Sequence, residues 1–490
     1  MTCKPVFSIF GLSKRSTGCL VLAALLACAA GPVLADSIEL DPTFATAGRA
    51  NYTFGDYFKT LAHLPRPGGG SVAVMHYRAT GNPVCVDGRD CIVLYPFTAA
   101  GAALAPLAVP ANLNFSNVRG ASIDSQGRVV VVGSIQISGG DYDFRIARIL
   151  ANGTADLSFS SDGLNNVAFD LGGNNRDEAN AVAIDDQDRI VVVGQVERAS
   201  LGDSDYGVAR LLTNGTLDSS FDFDGKRQVA FDLAATLRLD APYAVVVRNG
   251  KISIGGIALD GNLAVSRIGL ARLLENGGYD ATFCPVSCNY MSTYTAINNG
   301  RRVIYYGNDT PARSDSLEAM AVNSAGEFVT AGTTPGSGET FGYVQKFDVN
   351  GNWLAETTTQ GGIDASRTFI GGVHWSDENS AISNVVLTGA SGPNEEFFFA
   401  QRFTSGLAPS ANWGFIGPSN SVYLWTAGNG FGDIGDNRPA ISSLGPASQV
   451  LVGGIYKPIA LADPYSATVA RLRTVGGPTT DAIFKNGFEN

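Results

Sequence analysis

The stretch "RLLTNGTLDSSFDFDG", residues 210–225, decides how this chain folds. Sixty-two residues earlier stands "RILANGTADLSFSSDG" (148–163), and sixty-two residues later stands "RLLENGGYDATF" (272–283). An arginine, an aspartate and a phenylalanine keep the same spacing in all three copies: Arg148, Arg210 and Arg272; Asp156, Asp218 and Asp280; Phe159, Phe221 and Phe283. A fixed period of this length is the signature of a repeat architecture. The stretch is therefore first of all a structural element of the repeat, and we call it the corner.

Four β-rich segments recur around each corner. A small-residue strand such as "ANAVAI" (179–184) precedes a polar turn and a second strand in "DQDRIVVVG" (186–194). A third strand, "YGVARLL" (206–212), leads into the corner, and a fourth, "QVAFDL" (228–233), follows it. Second and third strands can each be found seven times along the chain. Four antiparallel strands in each repeat are typical of a β-propeller blade.

We therefore predict an all-β protein with a single seven-bladed β-propeller of four-stranded antiparallel blades over residues 36–479. The segment "LDPTFATAGRANYTF" (40–54) matches the second half of the corner plus a fourth strand, whereas the last repeat ends soon after its third strand. The N-terminal strand is thus expected to complete the last blade and close the ring. The C-terminal tail, 480–490, repeats part of the corner and is the other candidate for that place.

The combination of "ARLLTNGTLDSSFDFDG" with "DEANAVAIDDQDRIVVVG" resembles the delta-60 repeat of exported bacterial proteins. The similarity is specific in the repeats around 148–283 and fades over 290–470. It implies a propeller-like exported protein, and it brings no catalytic residues with it.

Residues 1–35 have the pattern of a signal peptide, with a basic start, the apolar run "CLVLAALLACAAG" (19–31) and small residues before Asp36. The alternative is a lipid anchor on Cys28, in "LLAC" (25–28). Cleavage would remove three positive charges and no negative ones, which takes the net charge from −11 to −14. We expect a secreted or periplasmic monomer whose partner is an extracellular protein or polymer, with no membrane span and no nucleic acid.

Four cysteines follow the predicted signal peptide, in two close pairs. An oxidising compartment favours local disulfides, and we predict Cys85–Cys91 and Cys284–Cys288. The alternative is one zinc site that uses all four thiolates.

Signals of catalysis are scarce in the sequence. It contains no nucleophile elbow, phosphate loop or zinc-protease motif, and "HWSDE" (374–378) is the best single candidate for acid–base chemistry. We predict a binding or scaffold module. The alternative is a secreted hydrolase or lyase that acts on an extracellular polymer, since propellers host both classes.

Acidic residues recur in two kinds of loop that a four-stranded blade would bring to one face. Loops before the first strand carry Asp177, Glu178, Asp240, Asp315 and Asp377. Loops between the second and third strands carry two Asp-x-Asp pairs, in which we predict oxygen ligands for a divalent ion such as calcium or contacts for a positively charged ligand: Asp141, Asp143, Asp203 and Asp205. The alternative is the ordinary solvated surface of an acidic protein. Asp222 and Asp224 also suggest a calcium loop, but the counterparts read "SFSSDG" (158–163) and "FATAG" (44–48), so the pair of acids does not repeat.

Overall fold

The computed structural model describes most of the chain, in separate segments. These are residues 37–40, 49–54, 58–77, 89–198, 202–233, 238–260, 265–285, 299–304, 314–335, 340–358, 368–375, 385–391, 397–403, 406–407, 421–424, 440–443, 449–456 and 465–475. The compact unit that carries the sheets spans Ile38–Val475.

The described residues form strands almost throughout. The first three four-strand sets, after β1 (Ser37–Leu40) and β2 (Arg49–Phe54), are β3 (Phe58–Pro65), β4 (Ser71–Tyr77), β5 (Cys91–Phe97) and β6 (Leu107–Ala108); β7 (Asn117–Ile123), β8 (Val129–Ser138), β9 (Asp141–Ile149) and β10 (Leu164–Val167); and β11 (Asp177–Ile184), β12 (Ile190–Glu197), β13 (Asp203–Leu211) and β14 (Lys226–Val229).

The remaining strands continue the same pattern. They are β15 (Arg238–Arg248), β16 (Lys251–Asp260), β17 (Val265–Leu273) and β18 (Arg301–Ile304); β19 (Ser316–Val322), β20 (Phe328–Pro335), β21 (Thr340–Phe347) and β22 (Trp353–Thr358); β23 (Thr368–Trp375), β24 (Val385–Ser391), β25 (Phe397–Phe403) and β26 (Ser421–Leu424); and β27 (Ala440–Ser443), β28 (Gln449–Tyr456) and β29 (Tyr465–Val475).

Within each set, strands that follow one another in the sequence pair antiparallel. The third and fourth sets also share a short parallel contact, in which Asp203 pairs with Arg238 and Ser204 with Leu239, so the two sets form one eight-stranded sheet. The fold is thus all-β, with four-stranded antiparallel units, as the sequence predicts.

The N-terminal strand β2 pairs antiparallel with β29, from Arg49 opposite Ala470 to Phe54 opposite Tyr465. It thereby takes the place next to the third strand of the last set, where a fourth strand from the C-terminal side would otherwise lie. The terminal strand β1 belongs to the same sheet.

The first strands of the sets also contact one another in sequence order. Contacts run from β3 to β7, β11, β15, β19, β23 and β27, and β27 in turn contacts β3.

The second strands whose burial the structure describes are covered on both faces, which explains their unbroken apolar runs. In β12, Ile190, Val192 and Val196 join one core with the preceding set, while Val191 and Val193 join a second core with the following set. Because side chains alternate along a strand, one apolar strand serves two cores.

The corner motif connects each set to the next. The Arg210 guanidinium donates from Nε to Asp218 Oδ2 at 2.8 Å and from Nη1 to the carbonyl of Glu275 in the following repeat. Asp218 Oδ1 accepts the backbone N–H of Ser220 at 3.0 Å. The Phe221 ring lies 4.9 Å from the guanidinium and packs in the core shared with β16 and β17. The predicted arginine–aspartate pair and the packing of the phenylalanine between repeats are confirmed.

The turn before this aspartate differs in detail from the expected one. Gly215 has a positive φ of 90°, as predicted, but Asn214 is not among the residues with positive φ. Asn214 Oδ1 instead accepts the backbone N–H of Thr216 at 3.0 Å. Gly215 is needed there because a Cβ would lie 2.9 Å from the Phe159 ring.

Two other expectations can be compared with the described residues. Helix is confined there to a 3-10 turn, Ala111–Leu113, and no helix is long and apolar enough to cross a membrane.

The fourth strands are shorter than predicted, because β10 ends at Val167 and β14 at Val229. Asp170 and Asp232, which the sequence places in those strands, have φ of 52° and 49°, so the chain turns there.

Candidate functional site

The loops that carry the predicted acidic residues meet at one edge of the sheets. In the second set, Tyr142 forms a parallel bridge with Arg176, which precedes β11. In the third set, Asp203 pairs in the same way with Arg238 at the start of β15. Each Asp-x-Asp pair therefore lies beside the loop before the next first strand.

Three acidic side chains converge at the start of β13. One carboxylate oxygen from each of Asp203, Asp205 and Asp232 can be chosen so that all lie within 4.8 Å of one another. Asp205 is buried, Asp203 is half-buried and Asp232 is exposed. The cluster thus reaches from the protein interior to solvent.

Asp205 is the buried end of this cluster. Its Oδ2 accepts hydrogen bonds from Arg198 Nη1, at 3.0 Å, and from Gln228 Nε2. Its Oδ1 is buried and accepts no hydrogen bond in the described part of the chain. Burial raises the pKa of Asp205 to about 6, against the opposing effect of Arg198, and the charges of Asp232 and Asp203 act in the same direction as burial.

Asp240 lies behind the cluster and is fully buried. Its Oδ2 accepts the backbone N–H of Phe231 at 2.7 Å and so fixes the turn that presents Asp232. Burial raises the pKa of Asp240 to about 8, and the charge of Asp205 contributes. The carboxyl therefore holds a proton at neutral pH in the absence of a cation.

The preceding repeat has a related but looser arrangement. Asp177 Oδ2 accepts the backbone N–H of Phe169 at 2.6 Å, and burial raises the pKa of Asp177 to about 6. Burial together with the charges of Asp141 and Asp170 also raises the pKa of Asp143. Among the described residues these acids do not converge on a common point as Asp203, Asp205 and Asp232 do. The metal role of Asp141 and Asp143 stays a prediction.

A cleft of about 210 Å³ opens beside Asp203. Its walls are mainly polar and come from the third set and the loops around it: Arg176, Glu178, Gln195, Glu197, Gly202, Asp203, Ser204 and Leu239. Most of these groups are already engaged, since Arg176 Nη2 pairs with Glu178 Oε1 at 2.9 Å and Glu197 Oε2 accepts the backbone N–H of Asn174 at 2.9 Å. The cleft gives a ligand direct access to Asp203.

The other predicted acidic residues do not gather around one opening. Asp177 and Asp240 lie within β11 and β15, Asp315 directly precedes β19, and all three are buried rather than solvated. Glu178 is bound to Arg176. Asp377 lies outside the described residues, as does Glu378 of the "HWSDE" cluster. Within the described part of the chain, the expected acidic rim is therefore not continuous.

The acids of the opening stretch serve the corner itself. Asp222 Oδ2 pairs with Arg227 Nη1 at 3.1 Å, and Asp224 Oδ1 accepts the backbone N–H of Lys226 at 2.9 Å. These bonds favour the structural interpretation of the stretch over a calcium loop.

Two of the four cysteines lie in the described part of the chain. Cys91 and Cys284 are each disulfide-bonded. Cys85 and Cys288 lie outside the described residues, so the predicted pairing stays a prediction.

Sequence reasoning missed Asp232 and its counterpart Asp170. Both follow a buried phenylalanine in the repeated "AFDL" at 168–171 and 230–233, sixty-two residues apart. The signal was present, because an aspartate in a predicted strand is unusual, whereas an aspartate in a turn is common.

Comparison with known families supports the fold. Residues 125–159 and 188–221 match the family model described as "Domain of unknown function (DUF5122) beta-propeller". Each match runs from a second strand through a third strand to the corner phenylalanine. The two segments are therefore similar to repeats of a β-propeller family, whereas the narrower delta-60 name stays an expectation.

Solved structures with a similar chain trace are distant in sequence. A protein of unknown function from Dyadobacter fermentans is 11% identical, with 87% of this chain and 100% of that chain covered and a TM-score of 0.43. The polysaccharide lyase Uly1 is 9% identical over 87% and 98% of the two chains, with a TM-score of 0.46. An α-L-arabinanase of Penicillium chrysogenum is 9% identical over 71% and 91%, with a TM-score of 0.43. No curated protein matches the sequence.

Proposed function

We propose that the protein is an exported binding module. Its fold is a seven-bladed β-propeller that the N-terminal strand closes, and the module holds a divalent cation at Asp203, Asp205 and Asp232. Two observations support the closed ring. Each first strand contacts the next, including β27 with β3, and β2 takes the fourth place of the last set. Export rests on the signal-peptide pattern of residues 1–35.

The observation that carries the cation site is the buried end of the acidic cluster. Asp205 is 1% exposed, and its Oδ1 has no hydrogen-bond donor among the described residues. One carboxylate oxygen each of Asp203 and Asp232 lies within 4.8 Å of a carboxylate oxygen of Asp205. Like charges at this distance repel, and a buried oxygen without a partner costs free energy. A bound cation would offset both costs at once.

The donors select the class of cation. All three side chains offer carboxylate oxygen, and neither thiolate nor imidazole is part of the cluster. Oxygen donors suit hard ions, and calcium tolerates irregular coordination by six to eight oxygens. Three carboxylates fill only part of such a shell, so water or a ligand in the neighbouring cleft would complete it. This open side would let the cation bind a partner.

Calorimetry with calcium chloride and melting curves with and without EDTA test the site. We expect a dissociation constant of about 10⁻⁴ to 10⁻³ M, as in other extracellular modules. Saturating calcium should raise the melting temperature by a few degrees. The double variant Asp203→Asn/Asp205→Asn should lose both effects, since it removes two of the three carboxylates.

Asp186→Asn is the matched control, because it removes an exposed carboxylate from a turn outside the cluster. This variant should bind calcium as the parent does. If calcium gave the parent protein neither a heat of binding nor a thermal shift, the proposed cation site would be wrong and the three acids would be ordinary residues of an acidic protein.

A further inference from the structure

The first strands share a feature that the fold alone does not require. In six of them the pairing with the second strand shifts at one residue, which is left out of the ladder as a β-bulge: Leu61 in β3, Arg119 in β7, Asn180 in β11, Tyr243 in β15, Glu318 in β19 and Gly371 in β23. A bulge re-aims the side chain that it carries. Since first strands lie at the edge of their sets, the bulges form one row along adjacent strand edges.

The residue after each bulge is always small: Ala62, Gly120, Ala181, Ala244, Ala319 and Gly372. The reason is close approach of neighbouring first strands, since a Cβ on Gly120 would lie 3.1 Å from the Asn180 carbonyl. The bulged residue itself differs in every copy. Packing thus requires a small residue after the bulge but does not restrict the residue at the bulge itself. Variable side chains on a constant backbone are typical of a binding surface.

Three consecutive bulges bring suitable side chains together. Asn180 Nδ2 donates to the Pro242 carbonyl at 3.0 Å, which places it beside Tyr243 on the next strand. Arg119 precedes Gly120, which contacts the Asn180 backbone. Tyr243 is 40% exposed although its neighbour Ala244 is buried. Arg119, Asn180 and Tyr243 therefore lie side by side at the strand edges.

The next bulge in the row is turned away from this group. Glu318 Oε1 accepts the hydroxyl of Ser316 at 2.5 Å and that of Thr333 at 3.3 Å, so its carboxylate lies over its own set.

Arg119 stands out among the arginines whose side chains the structure describes. The others take part in an interaction, as Arg128 does with Asp124 and Arg145 with Asn166. Arg119 is exposed and has no hydrogen bond, ion pair or ring contact within the described residues. Its guanidinium is available to an anionic group from outside.

We propose that Arg119, Asn180 and Tyr243 form a binding site for a saccharide that carries one carboxylate, a uronate sugar. A guanidinium binds a carboxylate through two parallel hydrogen bonds. The Asn180 amide oxygen can accept a sugar hydroxyl, and the tyrosine ring offers a flat apolar face to the sugar ring. The negative net charge of the protein disfavours a densely charged polyanion and favours a ligand with a single carboxylate.

This site shares no residue with the proposed cation site, so the two can be tested separately. Titrations followed by ligand-observed NMR, with EDTA present throughout, compare methyl glucuronide with methyl glucoside, in which a neutral hydroxymethyl group replaces the carboxylate. The glucuronide should bind about tenfold more tightly, since a charge-assisted hydrogen bond is lost with the glucoside. Arg119→Gln should abolish this difference and leave glucoside binding unchanged.

Two further variants complete the test. Arg66→Gln removes one positive charge at the turn after β3, outside the row and outside the cleft, and should change glucuronide binding less than about twofold. Tyr243→Ala should weaken both sugars, whereas Tyr243→Phe should keep both. Equal binding of the two sugars, equal losses in Arg119→Gln and Arg66→Gln, or the absence of saturable binding would each overturn the proposal.

Discussion

Arg210 joins two repeats through one guanidinium group. Its partners are a carboxylate in its own corner, a carbonyl in the next repeat and an aromatic face. Arg148 and Arg272 make the same three contacts one repeat before and after. The pair is buried, so its charges are poorly screened, and loss of Arg210 leaves Asp218 with only the more distant Arg189 Nη1, at 3.9 Å, as a cationic partner. This explains why the corner keeps its arginine and aspartate while surrounding positions vary.

Arg210→Ala should therefore lower the free energy of unfolding by about 3–5 kcal/mol, the cost of breaking a buried ion pair. The matched control is Arg176→Ala, because the Arg176 side chain is 58% exposed and its pair with Glu178 faces solvent. The control should change stability by no more than about 1 kcal/mol. Urea unfolding followed by circular dichroism measures both. Similar losses in the two variants would contradict the view that the corner holds the repeats together.

The corner residues could be predicted from sequence because the same arginine and aspartate recur in three repeats at one spacing. Arg210 and Asp218 are eight residues apart in a turn, and their charges alone suggest the pair. The roles of Asp203 and Asp205 were harder to place. Their partner Asp232 follows a strand that ends earlier than its apolar residues indicate, at Val229. The sequence does not show where the chain turns after the last residue of the strand. That position depends on contacts with distant residues, here the carboxyl of Asp240.

At the scale of the strands, the turn after β14 depends on one protonated carboxyl. Asp240 accepts the Phe231 N–H, and burial raises its pKa from 3.8 to about 8. Between these two pH values the folded chain keeps a proton that the unfolded chain releases. The contribution of Asp240 to the free energy of unfolding therefore falls as the pH rises through this window. Asp177 and Asp205, whose pKa values are raised to about 6, act in the same direction.

Asp240→Asn keeps an oxygen that can accept the Phe231 N–H and removes the ionisation. In EDTA, its melting temperature should exceed that of the parent by a margin that grows with pH, and this margin should be about 2 °C or more larger at about pH 8 than at about pH 5. Asp186→Asn, at an exposed turn, should follow the parent at both pH values. A series of thermal melts across this range measures the effect. Parallel curves for Asp240→Asn and the parent would show that the carboxyl is not the titrating group.

The strands themselves were predictable for a simple reason. In β12 every apolar residue faces one core or the other, so the run from Ile190 to Val193 has no polar face. Such runs of β-branched residues are typical of strands that are covered on both sides. The bulges in the first strands were not predictable. The residue that leaves the ladder, Asn180 or Tyr243, is set by how closely the neighbouring strand approaches, and a single sequence does not show that distance.

At the scale of the whole molecule, the last set is the point at which the two ends of the chain meet. β27, β28 and β29 come from the C-terminal side, and β2 pairs with β29 over six residues. Without β2, the outer edge of β29 would expose unpaired backbone groups over that length. Exposed edges of this kind promote aggregation, and proteins cover them where they can.

Deletion of residues 36–54 should therefore lower the melting temperature sharply and increase aggregation on heating. The loss is expected because six residue pairs of the β2–β29 ladder disappear at once, which leaves the edge of β29 unpaired. Deletion of 480–490 is the matched control, and it should leave the melting temperature unchanged, since the strand place next to β29 is already filled. Differential scanning fluorimetry with light scattering measures both variants. If the N-terminal deletion melts like the parent and the C-terminal deletion does not, the tail rather than β2 completes the last blade in solution.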